Sequence, residues 1–331
     1  MSAHIRSAGI GGYFSLECGI GQGLSWLQSA AGYQSARSAI AAALTCAKPR
    51  AVWAPYYICN AVNDALLQSG VIVHRYKLSN TYGVPVDVKP EPSDWLICVD
   101  YFGINNAAVD DALDRFGCHR VLVDASQALF HRIRPGGTGV YSIRKFVGVP
   151  DGGFLISNLL LGPRREPNEI ESFNRSRHLL ARLSGAIEQG YAYFQDAEAS
   201  LTSCEPVAMS QLTYQLIASI DFTSVAERRV TNYSWMAAEL KRKGLKVLPL
   251  PDGAVPLCCP VLEVNALRIK QKLSARSIFT PTYWPELTLP EADTVARSLR
   301  DTTVFMPCDQ RLRGSDVEYA IRSLLEAMDL Q

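Results

Sequence analysis

The chain has 331 residues, 48% of them hydrophobic and 20% charged, with 33 basic against 32 acidic side chains. This is an ordinary globular composition, enough for one large unit or two, and it excludes a disordered chain. A net charge of +1 without a basic stripe argues against a nucleic-acid partner, and no apolar run reaches the roughly 18 residues that would span a membrane.

The opening "MSAHIRSAGIGGYF" lacks the basic segment and continuous apolar run of a secretory signal. The nine cysteines form no CxxC pair and no His-Cys cluster at zinc spacing. A scattered, odd set of this kind reads as reduced thiols, so a cytoplasmic location and no metal are expected. The adjacent pair in "PLCCPVLEV" reads as small buried hydrophobes.

Along the first half, short apolar runs alternate with segments of helical period. "QSARSAIAAAL" (34–44) predicts an alanine-rich helix opened by serines. "AVWAPYY" (51–57) predicts a strand ending in a proline turn, and "NAVNDALLQSG" (60–70) a helix closed by glycine. "VIVHRYKL" (71–78), "DWLICVDYFG" (94–103), "HRVLVDASQAL" (119–129), "GVYSIRKF" and "GFLISN" complete a set of strands. Continuous Val/Ile/Leu strands separated by helices imply an α/β architecture with a mainly parallel sheet covered on both faces. Such sheets bind ligands at the carboxyl ends of their strands. Tyr57, Phe102, Asp124 and Lys145 each fall at or just past such an end.

From about residue 170 helical segments dominate. Residues 210–244 read as one long helix with a basic last turn, closed by Gly244. Strand and helix segments after it predict a smaller α+β domain, with the boundary between 1–222 and 223–331.

Four features on the proposed rim carry chemistry, each with a plainer alternative. Ser35-Ala36-Arg37-Ser38 opens a helix, where backbone amides and the dipole favour a phosphate, or where a serine merely caps. Asp124 in "VLVDASQ" either holds a protonated ring nitrogen or makes an Asx turn, and Gln127 reaches the same space. Lys145, three residues after Ser142, is a Schiff-base nucleophile if its setting is apolar, or a strand-end lysine snorkelling to water. Tyr56, Tyr57, Tyr101 and Phe102 could stack on a flat ring or fill the core. Together, in this order, they match what pyridoxal 5'-phosphate requires.

The sequence resembles the DegT/DnrJ/EryC1/StrS family of pyridoxal-phosphate sugar aminotransferases, over nearly its whole length. "SARSAI" is similar to that family's phosphate-binding helix start, "VDASQAL" to its "E-D-A-A-Q-A" box and "YSIRKFVGVPDGG" to its lysine box. "APYYICNAVNDALLQSGVIVHRYKL", "AERRVTNYSWMAAEL", "TPTYWP" and "MPCDQR" resemble further blocks. The resemblance implies fold type I, with a seven-stranded-type sheet flanked by helices. It also implies a homodimer and transfer of an amino group from an amino acid, glutamate foremost, to a keto-sugar, nucleotide-linked in that family.

Carried over by position, Asp124 would pair with the pyridine nitrogen and Gln127 would contact the 3-hydroxyl side. Ser142 and the amides of Ala36 and Arg37 would bind phosphate, and Lys145 would form the Schiff base and shuttle the proton. The family's phosphate-loop glycine is Ala36 here, and its stacking aromatic aligns with Cys59 or, across a shorter loop, with Tyr57. Ser210 stands near the place of the asparagine that a neighbouring subunit lends. Family dehydratases carry histidine where Lys145 stands, which favours amino transfer. A different outcome on the same cofactor, a non-sugar ketone or a non-catalytic relative are the alternatives. A nicotinamide enzyme is a weaker rival, because no GxGxxG follows the first strands.

Overall fold

The computed structural model describes residues 16, 18–19, 21, 23–27, 29–159 and 162–330. Residues 1–14, read above for a leader, lie outside the described residues. The chain begins with β1 (Ala31–Tyr33), α1 (Ala36–Ala47), β2 (Ala51–Pro55), α2 (Asn60–Ser69), β3 (Ile72–Tyr76) and β4 (Trp95–Val99). It continues through α3 (Asn106–Phe116), β5 (Val121–Asp124), β6 (Thr138–Ser142) and β7 (Gly153–Ile156). These seven strands form one sheet in the order β1-β7-β6-β5-β4-β2-β3. Strand β7 runs antiparallel to both neighbours, and the other pairings are parallel.

The mainly parallel sheet is thus as expected, and its physical basis is legible in β4, β5 and β6, where every residue is buried. Strands covered on both faces need no polar alternation. The helices also start and stop where the chain says. Ser35 caps α1 by accepting from the Ser38 amide, and Gly70, at φ 66, ends α2 in the left-handed conformation.

Three helices follow, α4 (Glu169–Arg175), α5 (Arg177–Leu183) and α6 (Ile187–Ala199). The single helix expected over 210–244 is two, α7 (Gln211–Ala218) and α8 (Phe222–Arg242). The break lies at Asp221, whose carboxylate accepts from the Ser224 amide and so starts a new helix. The predicted terminus holds, with Lys243 at the C-cap and Gly244 at φ 79. Beyond it, β8 (Lys246–Val247), β9 (Cys258–Leu262), α9 (Ala266–Ser274), α10 (Thr294–Asp301), β10 (Val304–Pro307) and α11 (Gly314–Ala327) complete the chain. The three strands make a small antiparallel sheet in the order β10-β9-β8. Among the described residues no helix is long and apolar enough to cross a membrane, and no cluster of His, Cys, Asp or Glu could hold a metal ion.

Register brings the candidate residues together. Val99 pairs with Asp124, and Asp124 with Val140, so the carboxyl ends of β4, β5 and β6 form one edge. Ser142 pairs with Gly153 at the same end.

Candidate active site

Asp124 closes β5 and is 3% exposed. Its Oδ1 accepts from the Ser126 amide at 2.9 Å, an Asx turn that fixes the carboxylate. Gln127, 1% exposed, follows in that turn. Its Oε1 accepts from the Phe102 amide at 3.0 Å, while its buried Nε2 has no partner among the described residues. Buried donors are almost always satisfied, so an orphan one points to a missing acceptor.

Ser142 closes β6, buried, and its hydroxyl caps no helix. Opposite it lies the start of α1. A Cβ on Gly153 would fall 2.3 Å from the Ser35 carbonyl carbon and 2.4 Å from the Ala36 nitrogen, so only glycine lets β7 lie this close. Ala36 is not among the positive-φ residues, which is why alanine serves where the family has glycine. The Arg37 side chain turns away, ion-paired with Asp64 at 3.2 Å and donating to the Thr202 carbonyl at 2.5 Å. What α1 leaves for an anion is the backbone amides of Ala36 and Arg37, in a helix start that carries partial positive charge.

Two sequence readings can be narrowed. Lys145 does not end a strand, and of the two settings left open for it the structure has the solvent-facing one. The strand stops at Ser142 and Ile143–Lys145 form a 3₁₀ turn; Ile143 within it and Phe146 just after it enter the core, and Lys145 faces solvent. The apolar side chains gain by leaving water and the Lys145 ammonium by staying in it. Its ammonium has no hydrogen-bond or ion-pair partner among the described residues.

Tyr57, one of the two positions offered for stacking on a bound ring, is fully buried. Its ring packs against Trp284 at 4.7 Å and Tyr101 at 5.7 Å, and Tyr101 donates to its carbonyl. Burial pushes its phenol far above the ordinary tyrosine value, and the hydroxyl has no partner among the described residues. No face of Tyr57 is open to a ligand. Cys59, the other alignment, is half-buried at the N-cap of α2 and offers no ring.

The turn carrying Lys145 is fixed at its far end by a residue the sequence reading did not single out. Asp151, 1% exposed, accepts from the Ser210 amide at 3.2 Å, from the Ser210 hydroxyl at 3.1 Å and from Thr213 at 2.7 Å. Ser172 also donates to it, and Arg175 lies 3.7 Å away. Ser210 is therefore committed within this chain, to Asp151 and to the cap of α7. Arg229 was missed too, although the sequence holds a signal. It occupies a position in the buried stripe Val225, Arg229, Tyr233, Met236, Leu240 of α8, where an apolar residue belongs.

Neither models of known protein families nor curated proteins match the chain. Solved structures do. The aminotransferase TlmJ from Streptoalloteichus hindustanus is 17% identical, with TM-score 0.63 over 91% of this chain and 86% of that one. The sugar aminotransferase CalS13 from Micromonospora echinospora is 16% identical, with TM-score 0.58 over 90% and 87%. A DegT DnrJ EryC1 StrS aminotransferase from Brucella abortus is 17% identical, with TM-score 0.60 over 90% and 85%. Over nine-tenths of its length, then, this chain has the fold of these aminotransferases, the fold-type-I architecture that its sequence led us to expect.

Proposed function

We propose that the chain is a pyridoxal 5'-phosphate-dependent aminotransferase. It would move an amino group from an amino acid, glutamate foremost, to a keto-sugar, nucleotide-linked as the resemblance implies. The observation that carries this reading is the buried Asp124–Gln127 corner with its unsatisfied amide donor, at the carboxyl edge of the sheet. On the turn after the neighbouring strand, Lys145 adds an amine without a hydrogen-bond or ion-pair partner among the described residues.

The polar donor set fits the cofactor. The Asp124 carboxylate would hold the proton on the ring nitrogen, and Gln127 Nε2 would donate to the ring oxygen. The amides of Ala36 and Arg37 and the Ser142 hydroxyl would hold the phosphate. When bound, pyridoxal phosphate supplies an electron sink for bonds at the substrate's amine-bearing carbon. Lys145 would anchor it through its Nζ and take up and return the proton at the substrate's amine-bearing carbon. Its solvent-facing position leaves the side chain free to swing, which that proton transfer needs.

The resemblance supports further parts of this reading. Residues 1–222 would bind the cofactor and 223–331 would form a smaller unit entered through α8. Two chains would pair as a homodimer in the cytoplasm, which size-exclusion chromatography with light scattering tests for the pairing.

The experiment is an absorption spectrum of protein loaded with pyridoxal phosphate, before and after glutamate. A visible band that glutamate converts to the pyridoxamine form supports the reading. Binding without conversion by any amino donor supports a second one, a non-catalytic cofactor-binding relative. That alternative is favoured by one observation, the full burial of Tyr57.

A further inference from the structure

Arg229 is a buried cation, 2% exposed, with no carboxylate ion-paired to it among the described residues. Burying a charge without a counter-ion is costly unless every donor is used. Here the donors are used on backbone. Nη2 donates to the Phe146 carbonyl at 3.1 Å, and Nη1 to the carbonyls of Pro256 at 3.2 Å and Leu257 at 3.1 Å. Nε donates to Gln310 Oε1 at 2.9 Å, and the guanidinium lies 4.7 Å from the centre of the Phe146 ring. Gln310 in turn donates its own Nε2 to the same Phe146 carbonyl at 2.8 Å. The carbonyl of Phe146, the residue after Lys145, thus accepts from two side chains at once.

The other arm of this arrangement leads to the opposite corner of the site. The Leu257 amide donates to the Phe102 carbonyl at 2.8 Å. Phe102 holds a left-handed φ of 61, strained for a phenylalanine, and its amide donates to Gln127 Oε1. One guanidinium therefore joins the turn of Lys145 on one side to the turn of Asp124 and Gln127 on the other, through backbone groups with little freedom.

We propose that Arg229, with Gln310, is a positioning residue that sets the placement of the Lys145 turn relative to the Asp124–Gln127 corner. It touches neither reacting atoms nor cofactor. It acts by fixing the Phe146 and Leu257 peptides, so that a flexible exposed amine works from a fixed base. A lysine at 229 keeps the charge but cannot reach several carbonyls with a planar fork. The proposal rests on the reading of Lys145 as the cofactor-bearing amine, and its test separates the two.

Two variants, Arg229→Lys and Gln310→Ala, are compared with wild type in the full chain. The first readout needs no cofactor: amide hydrogen exchange of the peptide spanning 141–150. Gln310→Ala is expected to speed it about fivefold, as loss of one hydrogen bond would allow, with exchange in β4 and β5 unchanged. The second is the rate at which pyridoxal phosphate and borohydride label Lys145, per folded molecule. In that probe the amine adds to the aldehyde carbon, water leaves and hydride reduces the C=N bond. Labelling should slow about tenfold in Gln310→Ala and about a hundredfold in Arg229→Lys, the scale of a small misplacement.

Lower melting temperatures with unchanged exchange and labelling would show Arg229 to be a stabilising residue only, and would overturn the proposal. Wild-type protein unlabelled at Lys145 would overturn the functional reading instead. The exchange result would then still decide whether the clamp holds the turn.

Discussion

The two corners of the site are built on opposite plans. At the end of β5, Asp124 and Gln127 are buried and held by the backbone of Ser126 and Phe102, side chain and main chain alike immobile. On the turn after β6, Lys145 has an exposed side chain without a partner among the described residues, on a segment held at the Phe146 carbonyl and by the Asp151 carboxylate. A group whose charge must stay in one place gains from burial and fixed hydrogen bonds. On the proposed reading, a group that carries a proton gains from a fixed root and a free end.

The largest effect that could break this comparison is expected from Lys145→Ala. Amino transfer and borohydride labelling should fall by about a thousandfold or more, the scale on which a covalent and proton-moving group acts. Because the side chain is exposed and has no partner among the described residues, the unfolding free energy should stay within the roughly 0.5 kcal/mol typical of surface changes. A variant that transaminates at the wild-type rate would remove the free end from the comparison.

Asp124→Asn sharpens the other corner. The amide oxygen can keep the bond to Ser126, so folding should change little, while loss of the fixed negative charge should slow transfer by about a hundredfold. That is roughly 2.7 kcal/mol at the barrier. Steady-state rates alongside thermal melts separate the two. If stability fell and the rate did not, Asp124 would be only the Asx-turn residue of its loop.

Tyr57 provides the intermediate case. Tyr57→Ala should cost about 3–5 kcal/mol of stability in chemical denaturation, as removal of a core aromatic does. Tyr57→Phe should be neutral or slightly stabilising, since it removes a buried hydroxyl with no partner. A loss of cofactor affinity in Tyr57→Phe without loss of stability would reopen a role at the ring.

The smallest effect concerns the loop that carries Gln310. Burial pushes the Asp309 carboxyl up, but the Arg311 guanidinium bonded to it outweighs burial and holds it below the usual carboxylate range. With the folded pKa below the unfolded one, its stabilisation is present above about pH 4 and lost as pH falls through the folded value. Asp309→Asn should therefore flatten the acid limb of a stability–pH curve slightly. An unchanged limb would mean the pair contributes nothing measurable.

Much of the fold was legible because it follows local rules. Apolar runs, helix periods and the caps at Ser35, Gly70 and Gly244 act over a few residues. The order of Asp124, Gln127, Ser142 and Lys145 at successive strand ends was legible for the same reason. The burial of Tyr57 was not, because Trp284 comes from the far end of the chain to cover it. The exposure of Lys145 hinged on a single short turn choosing Ile143 and Phe146 for the core. The split of the long helix at Asp221 lay in plain sight as a cap signal inside an otherwise helical pattern.

The sequence by itself determined which elements form and which chemical groups arrive at the carboxyl edge of the sheet, because propensity, capping and apolar period are short-range. Only the tertiary structure decided which of those groups are buried, which stay free and what holds their backbone. Packing between distant segments, Trp284 on Tyr57 and Arg229 under Phe146, has no local signature strong enough to fix those answers in advance.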